Sequence, residues 1–315
     1  MTKIVTLTLN PALDKSTETK RLLPDEKLRC DTPRWEPGGG GINVSRAIKF
    51  LGGDSLCIYL AGGPTGDKME KLLAEEGIRQ LRIQGKEETR ENLVVFEKST
   101  QKQYRFGMPG ARVSEEELET CLEVVRNLPE EVEYLVASGS LPAGAPSDFY
   151  AKITQMAQGR GIKCVVDTSG EALLKAADFG VCLLKPNLGE LSQLAGKEDI
   201  NALEQEETAK EVINKGKATM LAVSLGPRGA MLATRDHIEY VVPPTVKQLS
   251  TVGAGDSMVA GMVLALSLGK SHHDMIRWGV AAGTAATMSP GSELCRREDV
   301  EHIYEWLKEK SSSHA

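Results

Sequence analysis

No stretch of the sequence approaches the ~18 consecutive apolar residues of a membrane span, so a membrane partner is not expected. The start, Met1-Thr-Lys-Ile-Val-Thr-Leu-Thr-Leu9, alternates polar with apolar residues like a strand. It lacks the apolar block and small-residue cleavage site of a secretory signal. The six cysteines (Cys30, Cys57, Cys121, Cys164, Cys182, Cys295) include no Cys-x-x-Cys pair, and no histidines gather at metal-ligand spacing. They read as reduced, mostly packed thiols, and the expected location is cytoplasmic. Positive charge is also short: the net charge of -6 argues against a duplex nucleic-acid partner, whose affinity comes from phosphates neutralised by Lys and Arg. A local basic pocket stays open.

What is present suits one large core: 315 residues, 41% of them hydrophobic. From about residue 42 the pattern alternates between amphipathic helix and short apolar strand. Val44, Ala47, Ile48 and Leu51 recur at helical spacing, and 55–61 reads as a buried strand. Ser114 with Glu117 forms a capping-box signature ahead of Leu118, Cys121, Leu122 and Val125. Strands are predicted at 134–138, 164–167, 181–184 and 220–224, with a helix carrying Phe149, Ile153, Met156 and Ala157 on one face. Helices between buried strands imply βαβ units, hence an α/β fold with a mostly parallel sheet covered on both faces.

Two segments, roughly 14–35 and 86–108, break that rhythm with charges and strand-like stretches. Within the second, 92–97 and 102–106 read as a hairpin turning near Ser99-Thr100-Gln101. They are expected to pair into a small sheet projecting as a lid, or else to be ordinary edge hairpins. The tail 311–315 is expected to be disordered.

Four segments can hold a ligand. Gly38-Gly39-Gly40-Gly41-Ile42-Asn43 stands directly before a helix, so its backbone can approach a sugar or phosphate closely while the helix offers unpaired N–H groups. It is neither a P-loop nor Gly-x-Gly-x-x-Gly, and a flexible turn is the competing reading. Thr251-Val252-Gly253-Ala254-Gly255-Asp256 precedes an apolar helix, and a tight turn there aims successive amides outward as an anion site. Asp256 beside it reads either as a base receiving a hydroxyl proton or as a helix cap. Lys185-Pro186-Asn187 ends a strand and opens a helix, at the edge where open α/β sheets bind ligands. Asn187 and Glu190 could hold waters around Mg²⁺, or simply cap that helix. Ser224-Leu225-Gly226-Pro227-Arg228-Gly229 is either a nucleotide loop or a glycine turn.

In this fixed order, Thr6-Leu-Thr-Leu-Asn-Pro-Ala-Leu-Asp14, Gly38-Gly-Gly-Gly-Ile-Asn43, Lys185-Pro-Asn-x-x-Glu190 and Thr251-Val-Gly-Ala-Gly-Asp256 make the chain resemble the PfkB family of the ribokinase-like superfamily over essentially its full length. The resemblance is nearest to the minor bacterial 6-phosphofructokinase type. It implies a Rossmann-like ribokinase fold with a β-sheet lid that also serves a homodimer interface. It further implies Asp256 as base, with the amides of Gly253, Ala254, Gly255 and Asp256 as anion hole. By the same resemblance Asp14, Gly39 and Asn43 contact the sugar, while Arg90, Arg29 and Lys27 are basic lid positions facing phosphate or nucleotide. Lys185, Asn187, Ser224, Gly226, Gly229 and Thr251 fall on the ATP side, and Glu190 organises Mg²⁺ through water. A monovalent-cation (K⁺) site would correspond to Ser250, Val252, Ala286, Ser289 and Gly291, although Ser289 and Glu293 depart from the Asn and Arg expected of the nearest relatives.

Relatives acting on fructose 1-phosphate or tagatose 6-phosphate usually have Gly-Gly-Lys-Gly where this chain has Gly38 to Gly41. The missing lysine, with Lys27-Leu-Arg29, favours fructose 6-phosphate attacked through its C1 hydroxyl. A tagatose-6-phosphate kinase or 1-phosphofructokinase is the alternative activity. A non-catalytic sugar-phosphate sensor is the alternative of another class, disfavoured because Asp256 and both loop glycines are kept.

Overall fold

The computed structural model describes residues 2–312, with side chains to Lys310. The chain enters through β1 (Ile4–Thr8), then leaves for β2 (Ala12–Thr19) and β3 (Arg34–Gly38). It returns through α1 (Gly40–Phe50), β4 (Leu56–Ala61), α2 (Gly63–Glu75) and β5 (Gln80–Gln84). A second excursion, β6 (Arg90–Glu97) and β7 (Lys102–Phe106), precedes α3 (Glu115–Arg126). There follow β8 (Tyr134–Ser138), α4 (Phe149–Gln158), β9 (Lys163–Asp167), α5 (Gly170–Asp178), β10 (Val181–Leu184), α6 (Leu188–Ala195), α7 (Gln205–Asn214) and β11 (Ala218–Ser224). Two short strands, β12 (Ala230–Ala233) and β13 (Ile238–Val241), turn back, and α8 (Ala254–Ser267), α9 (His272–Thr287) and α10 (Arg297–Ser312) close the chain.

Among the described residues the main sheet has nine strands in the order β13, β12, β11, β10, β9, β8, β1, β4, β5. Every pairing from β11 to β5 is parallel, and β12 and β13 are added antiparallel at one edge. Neighbouring residues on one strand serve opposite cores, as the pleat requires. Val166 and Leu184 face α3 to α7, whereas Val165 and Leu183 face α1, α8, α9 and α10. Burial on both faces is why these strands read as continuous apolar runs.

The second sheet, ordered β3, β2, β6, β7, is built from the two excursions. Ala12, which opens β2, pairs with Gly38, which closes β3, so this end of the sheet runs directly into the glycine loop. The hairpin of β6 and β7 turns at 98–101, where Ser99 and Thr100 hydroxyls donate to Glu97 at 2.9 and 2.8 Å. The segment linking β2 to β3 is tied back to the end of β2 by an isolated bridge, Thr19 to Cys30. The tail differs from expectation in its first two residues, which form the end of α10; 313–315 lie outside the described residues. Among the described residues no helix is long and apolar enough to cross a membrane. The six cysteines are free thiols, and burial pushes Cys57, Cys121 and Cys164 up to about 12, which leaves them unreactive.

Candidate active site

The sheet order reverses between β1 and β8: the chain goes from β1 outward to β4 and β5, and later from β8 outward to β11. Such a switch point opens a crevice at the carboxyl edge. The glycine loop is wedged into it. A Cβ on Gly40 would collide with Ser138 Oγ and lie 2.6 Å from Gly139 N, while one on Gly41 would lie 2.6 Å from Thr8 Oγ1. Gly39, with φ of 116°, is the N-cap of α1 and has Thr8 Cγ2 2.9 Å from where its Cβ would be. The glycines therefore serve close backbone packing across β1 and β8. Thr8 Oγ1 accepts from Ile42 N at 2.9 Å, which satisfies one of the orphan amides of α1.

That packing delivers Asn43 to the far side of the crevice. Its Nδ2 donates to Asp256 Oδ2 at 2.8 Å, joining α1 to the first turn of α8. Gly253, the N-cap of α8, adopts φ of 70°, and the first intrahelical bond is Ser257 N to Gly253 O. The amides of Ala254, Gly255 and Asp256 thus have no intrahelical acceptor, the state in which a helix start can take an anion. Burial, reinforced by repulsion from Asp167, lifts the Asp256 carboxyl from 3.8 to about 6; Asn43 and Lys185 pull the other way. A carboxylate tuned toward neutrality is a competent proton acceptor.

Lys185 follows β10 and forms an ion pair with Asp167, at the end of β9, at 3.3 Å. Burial disfavours its charge, but Asp167, then Asp256 and Glu190, outweigh that and raise its pKa. Its Nζ lies 3.4 Å from the Cβ position of Gly255, beside those free amides. Asn187 and Glu190 form a reciprocal capping box on α6, with Asn187 N to Glu190 Oε2 at 2.8 Å and Glu190 N to Asn187 Oδ1 at 2.9 Å. The capping alternative is therefore realised, and it holds Glu190 beside Lys185, with burial raising its pKa. Ser224 reaches the same edge through Ser224 N to Pro186 O at 2.9 Å. Next to these lies a cavity of about 370 Å³ lined in part by Ser224, Gly226, Gly229, Thr251, Gly255 and Met258, a volume suited to a nucleoside.

On the other side, Asp14 of β2 is half-buried against β6 and β7. Burial raises its pKa, opposed by a hydrogen bond from Asn92 and the charges of Arg105, Arg90 and Arg46. The Arg90 guanidinium donates to Met108 O at 3.0 Å, Asn10 O at 3.1 Å and Pro11 O at 3.4 Å. Lys27 and Arg29 are not brought into this cluster: both side chains are exposed, on the segment between β2 and β3. The positions aligned with a cation site converge only in part. Ser250 Oγ donates to Gly291 O at 2.6 Å and Ser289 N to Ala286 O at 3.2 Å, while Val252 N donates to Ser250 Oγ at 3.1 Å. Glu293 pairs with Arg34 at 3.1 Å and Arg296 at 3.0 Å. Sequence reasoning missed Asp167, Asn92 and Arg105. Asp167 had a signal, a lone acid closing an apolar strand; the others acquire meaning only when β6 and β7 lie beside β2.

An acid at a helix start with free amides, set between a cavity of nucleoside size and a polar cluster on a doubly wound sheet, is the arrangement phosphoryl transfer calls for. The chain belongs to the pfkB family of carbohydrate kinases, whose sequence profile matches residues 5–299. It is 46% identical over 308 residues to the ATP-dependent 6-phosphofructokinase isozyme 2 of Escherichia coli (strain K12), covering 98% of this chain and 99% of that protein. Identity to the 1-phosphofructokinase of Bacillus subtilis (strain 168) is 32% over 305 residues, 97% and 98% of the two chains. The crystal structure of phosphofructokinase-2 from Escherichia coli in complex with potassium superposes with a TM-score of 0.93 at 46% identity, covering 98% of this chain and 100% of that one. A tetrameric inhibited form of that enzyme superposes with a TM-score of 0.91 at 46% identity and the same coverage.

Proposed function

We propose that the chain transfers the γ-phosphoryl group of ATP directly to the C1 hydroxyl of fructose 6-phosphate, giving fructose 1,6-bisphosphate, with Asp256 as the base. The observation that carries this reading is Asp256 itself: raised to about 6, tied by Asn43 to the glycine loop, and flanked by the free amides of α8. Asp14, Gly39 and Asn43 hold sugar hydroxyls, and the cationic Arg90, with Arg105 nearby, receives the phosphate. Lys185 and the amides of Gly253 to Asp256 draw charge from the transferring group, and Asp256 takes the hydroxyl proton. Asn187, Ser224, Gly226, Gly229 and Thr251 border the nucleotide. The higher identity to 6-phosphofructokinases than to 1-phosphofructokinases supports the choice of sugar. So does Gly40, whose contact with Ser138 and Gly139 leaves no room for a lysine.

Among the described residues no group of three His, Cys, Asp or Glu could hold a metal ion directly. Mg²⁺ enters with the nucleotide and meets Glu190 through its own waters. Bound there, it would offset charge on the phosphoryl oxygens. For K⁺ the donors are main-chain carbonyls around Ser250, Val252, Ala286, Ser289 and Gly291, each of which keeps a lone pair beyond the bonds it already accepts. The sheet of β2, β3, β6 and β7 acts as a lid and, through its exposed Tyr104, Phe106 and Met108, as the contact of a homodimer. On that lid the exposed Lys27 and Arg29 face the substrate phosphate or the nucleotide. The tetrameric form of the E. coli relative makes a further association of dimers part of the same reading. The protein works in the cytoplasm, where its free thiols stay reduced.

The test is Asp256→Asn assayed for ADP release and, by calorimetry, for fructose 6-phosphate binding. Abolished turnover with binding retained supports the assignment; unchanged turnover overturns it.

A further inference from the structure

Asp14 and Asn92 are register partners on the parallel strands β2 and β6, so their side chains project from the same face. Asn92 Nδ2 donates to Asp14 Oδ1 at 2.9 Å, and Asn92 Oδ1 accepts from Met108 N at 3.0 Å. The second bond fixes the first: because the amide oxygen is committed to a backbone N–H, the amide nitrogen must face the carboxylate. Met108 O in turn accepts from Arg90 Nη1 at 3.0 Å. One residue thus closes a chain from Asp14 through Asn92 and Met108 to Arg90. With Oδ1 engaged, Asp14 Oδ2 is turned toward the glycine loop, 2.7 Å from where a Cβ on Gly38 would stand.

We propose that Asn92 is a positioning residue for the sugar phosphate, holding the hydroxyl-binding carboxylate of Asp14 and the phosphate-binding guanidinium of Arg90 at a fixed orientation to each other. This rests on the reading that Asp14 and Arg90 contact the sugar phosphate. The bond does two things. It presents one carboxylate oxygen to the ligand, and it favours the ionised form of a carboxyl whose charge burial disfavours. Other charges facing Asp14 are Arg90 from β6, Arg105 from β7, Arg46 from α1, Glu36 opposite it on β3, and Asp256 from α8. Removing Asn92 leaves those cations in place but removes the neutral donor aimed at Oδ1. The acid limb of sugar binding then moves to higher pH, because Asp14 loses a bond that lowers its pKa.

The experiment compares kcat and KM for fructose 6-phosphate, with Mg-ATP and KCl, across pH for the full-length protein, Asn92→Ala, Asp14→Asn and the double variant. Loss of a hydrogen bond to a charged group predicts KM higher by about tenfold in Asn92→Ala, with the smaller share of the loss in kcat. Residues acting as a unit predict a double variant whose kcat/KM exceeds the product of the single effects by about fivefold or more. The acid limb of fructose 6-phosphate affinity, read by calorimetry in the Asp256→Asn background so that Asp256 does not titrate, moves upward by about half a pH unit or more in Asn92→Ala. Effects that simply multiply, or an acid limb that stays in place, overturn the inference. Asn92→Asp keeps the shape should the alanine variant fail to fold. Two carboxyls at that distance share a proton, so its acid limb must move further upward, and an unmoved limb overturns the inference equally. Should the unaltered protein turn over fructose 6-phosphate and Asp14→Asn raise its KM while the cycle is multiplicative, only the role of Asn92 fails. Absence of turnover in the unaltered protein instead sinks the proposed function and this inference with it.

Discussion

Replacing Asp256 by asparagine is expected to stabilise the fold while it removes the base. Burial and the neighbouring Asp167 raise this carboxyl from 3.8 to about 6, so the folded protein resists ionising it. At about 1.4 kcal/mol per pH unit, a rise of about two corresponds to roughly 3 kcal/mol of stability lost once the group is charged. Because the pKa is raised, the acid is neutral in folded and unfolded chains alike below about pH 4, and the cost is absent there. It grows as the unfolded chain ionises and is complete once pH passes about 6. Asparagine is neutral throughout, and its carbonyl can still accept from Asn43 Nδ2. Linkage therefore gives a gain for the variant of up to roughly 3 kcal/mol at pH 8, falling to about half of that near pH 5. The side chain keeps some contact with solvent, so these values are ceilings. Urea unfolding of both proteins at the two pH values measures the gap, and kcat is expected to drop by about a hundredfold or more. A variant no more stable than the parent at pH 8, or a gap that does not shrink toward pH 5, refutes the reasoning.

Other outcomes follow from the same geometry. In the unaltered protein kcat should fall about tenfold per pH unit below about pH 6, where Asp256 is protonated and cannot accept a proton; a profile flat to pH 5 contradicts this. Lys185→Met leaves Asp167, whose side chain is 16% exposed, without its cation at 3.3 Å. Urea unfolding should show a loss of about 3–5 kcal/mol, and the acid limb of kcat should move above that of the parent, since Lys185 lowers the pKa of Asp256. A loss below about 1 kcal/mol, or an unmoved limb, contradicts it. Gly40→Ala drives a methyl group against Ser138 Oγ and Gly139 N, which should cost about 1–3 kcal/mol and raise the sugar KM by displacing the glycine loop. Parental stability would mean that α1 and β8 are not in that contact.

Much of the fold was legible because its strands are buried on both faces. The runs at 134–138 and 181–184 coincide with β8 and β10, and the Ser114 and Glu117 signature became a capping box with Ser114 N to Glu117 Oε2 at 2.7 Å. The edge strands β12 and β13 escaped notice. Each has four residues, β12 follows a glycine turn, and β13 carries polar residues because it closes the sheet edge. The site was legible in pieces. Gly253 to Asp256 and the glycine loop announce themselves by composition, but the bond from Asn43 to Asp256 spans 213 positions, and local pattern carries no trace of it. Asn92 lay inside a correctly read hairpin; its meaning depends on Asp14, 78 positions away. Asn187 and Glu190 show the converse limit, since a cap and a metal-organising carboxylate share one spacing.

The central claim is that this kinase acts on fructose 6-phosphate. Its most direct test is kcat/KM for ADP release by the purified protein with Mg-ATP and, separately, fructose 6-phosphate, tagatose 6-phosphate and fructose 1-phosphate. A clear preference for fructose 6-phosphate is the predicted result. Preference for either other sugar would contradict the reading of Gly38 to Gly41 while leaving Asp256 its role, and turnover of none of the three would contradict the assignment as a whole.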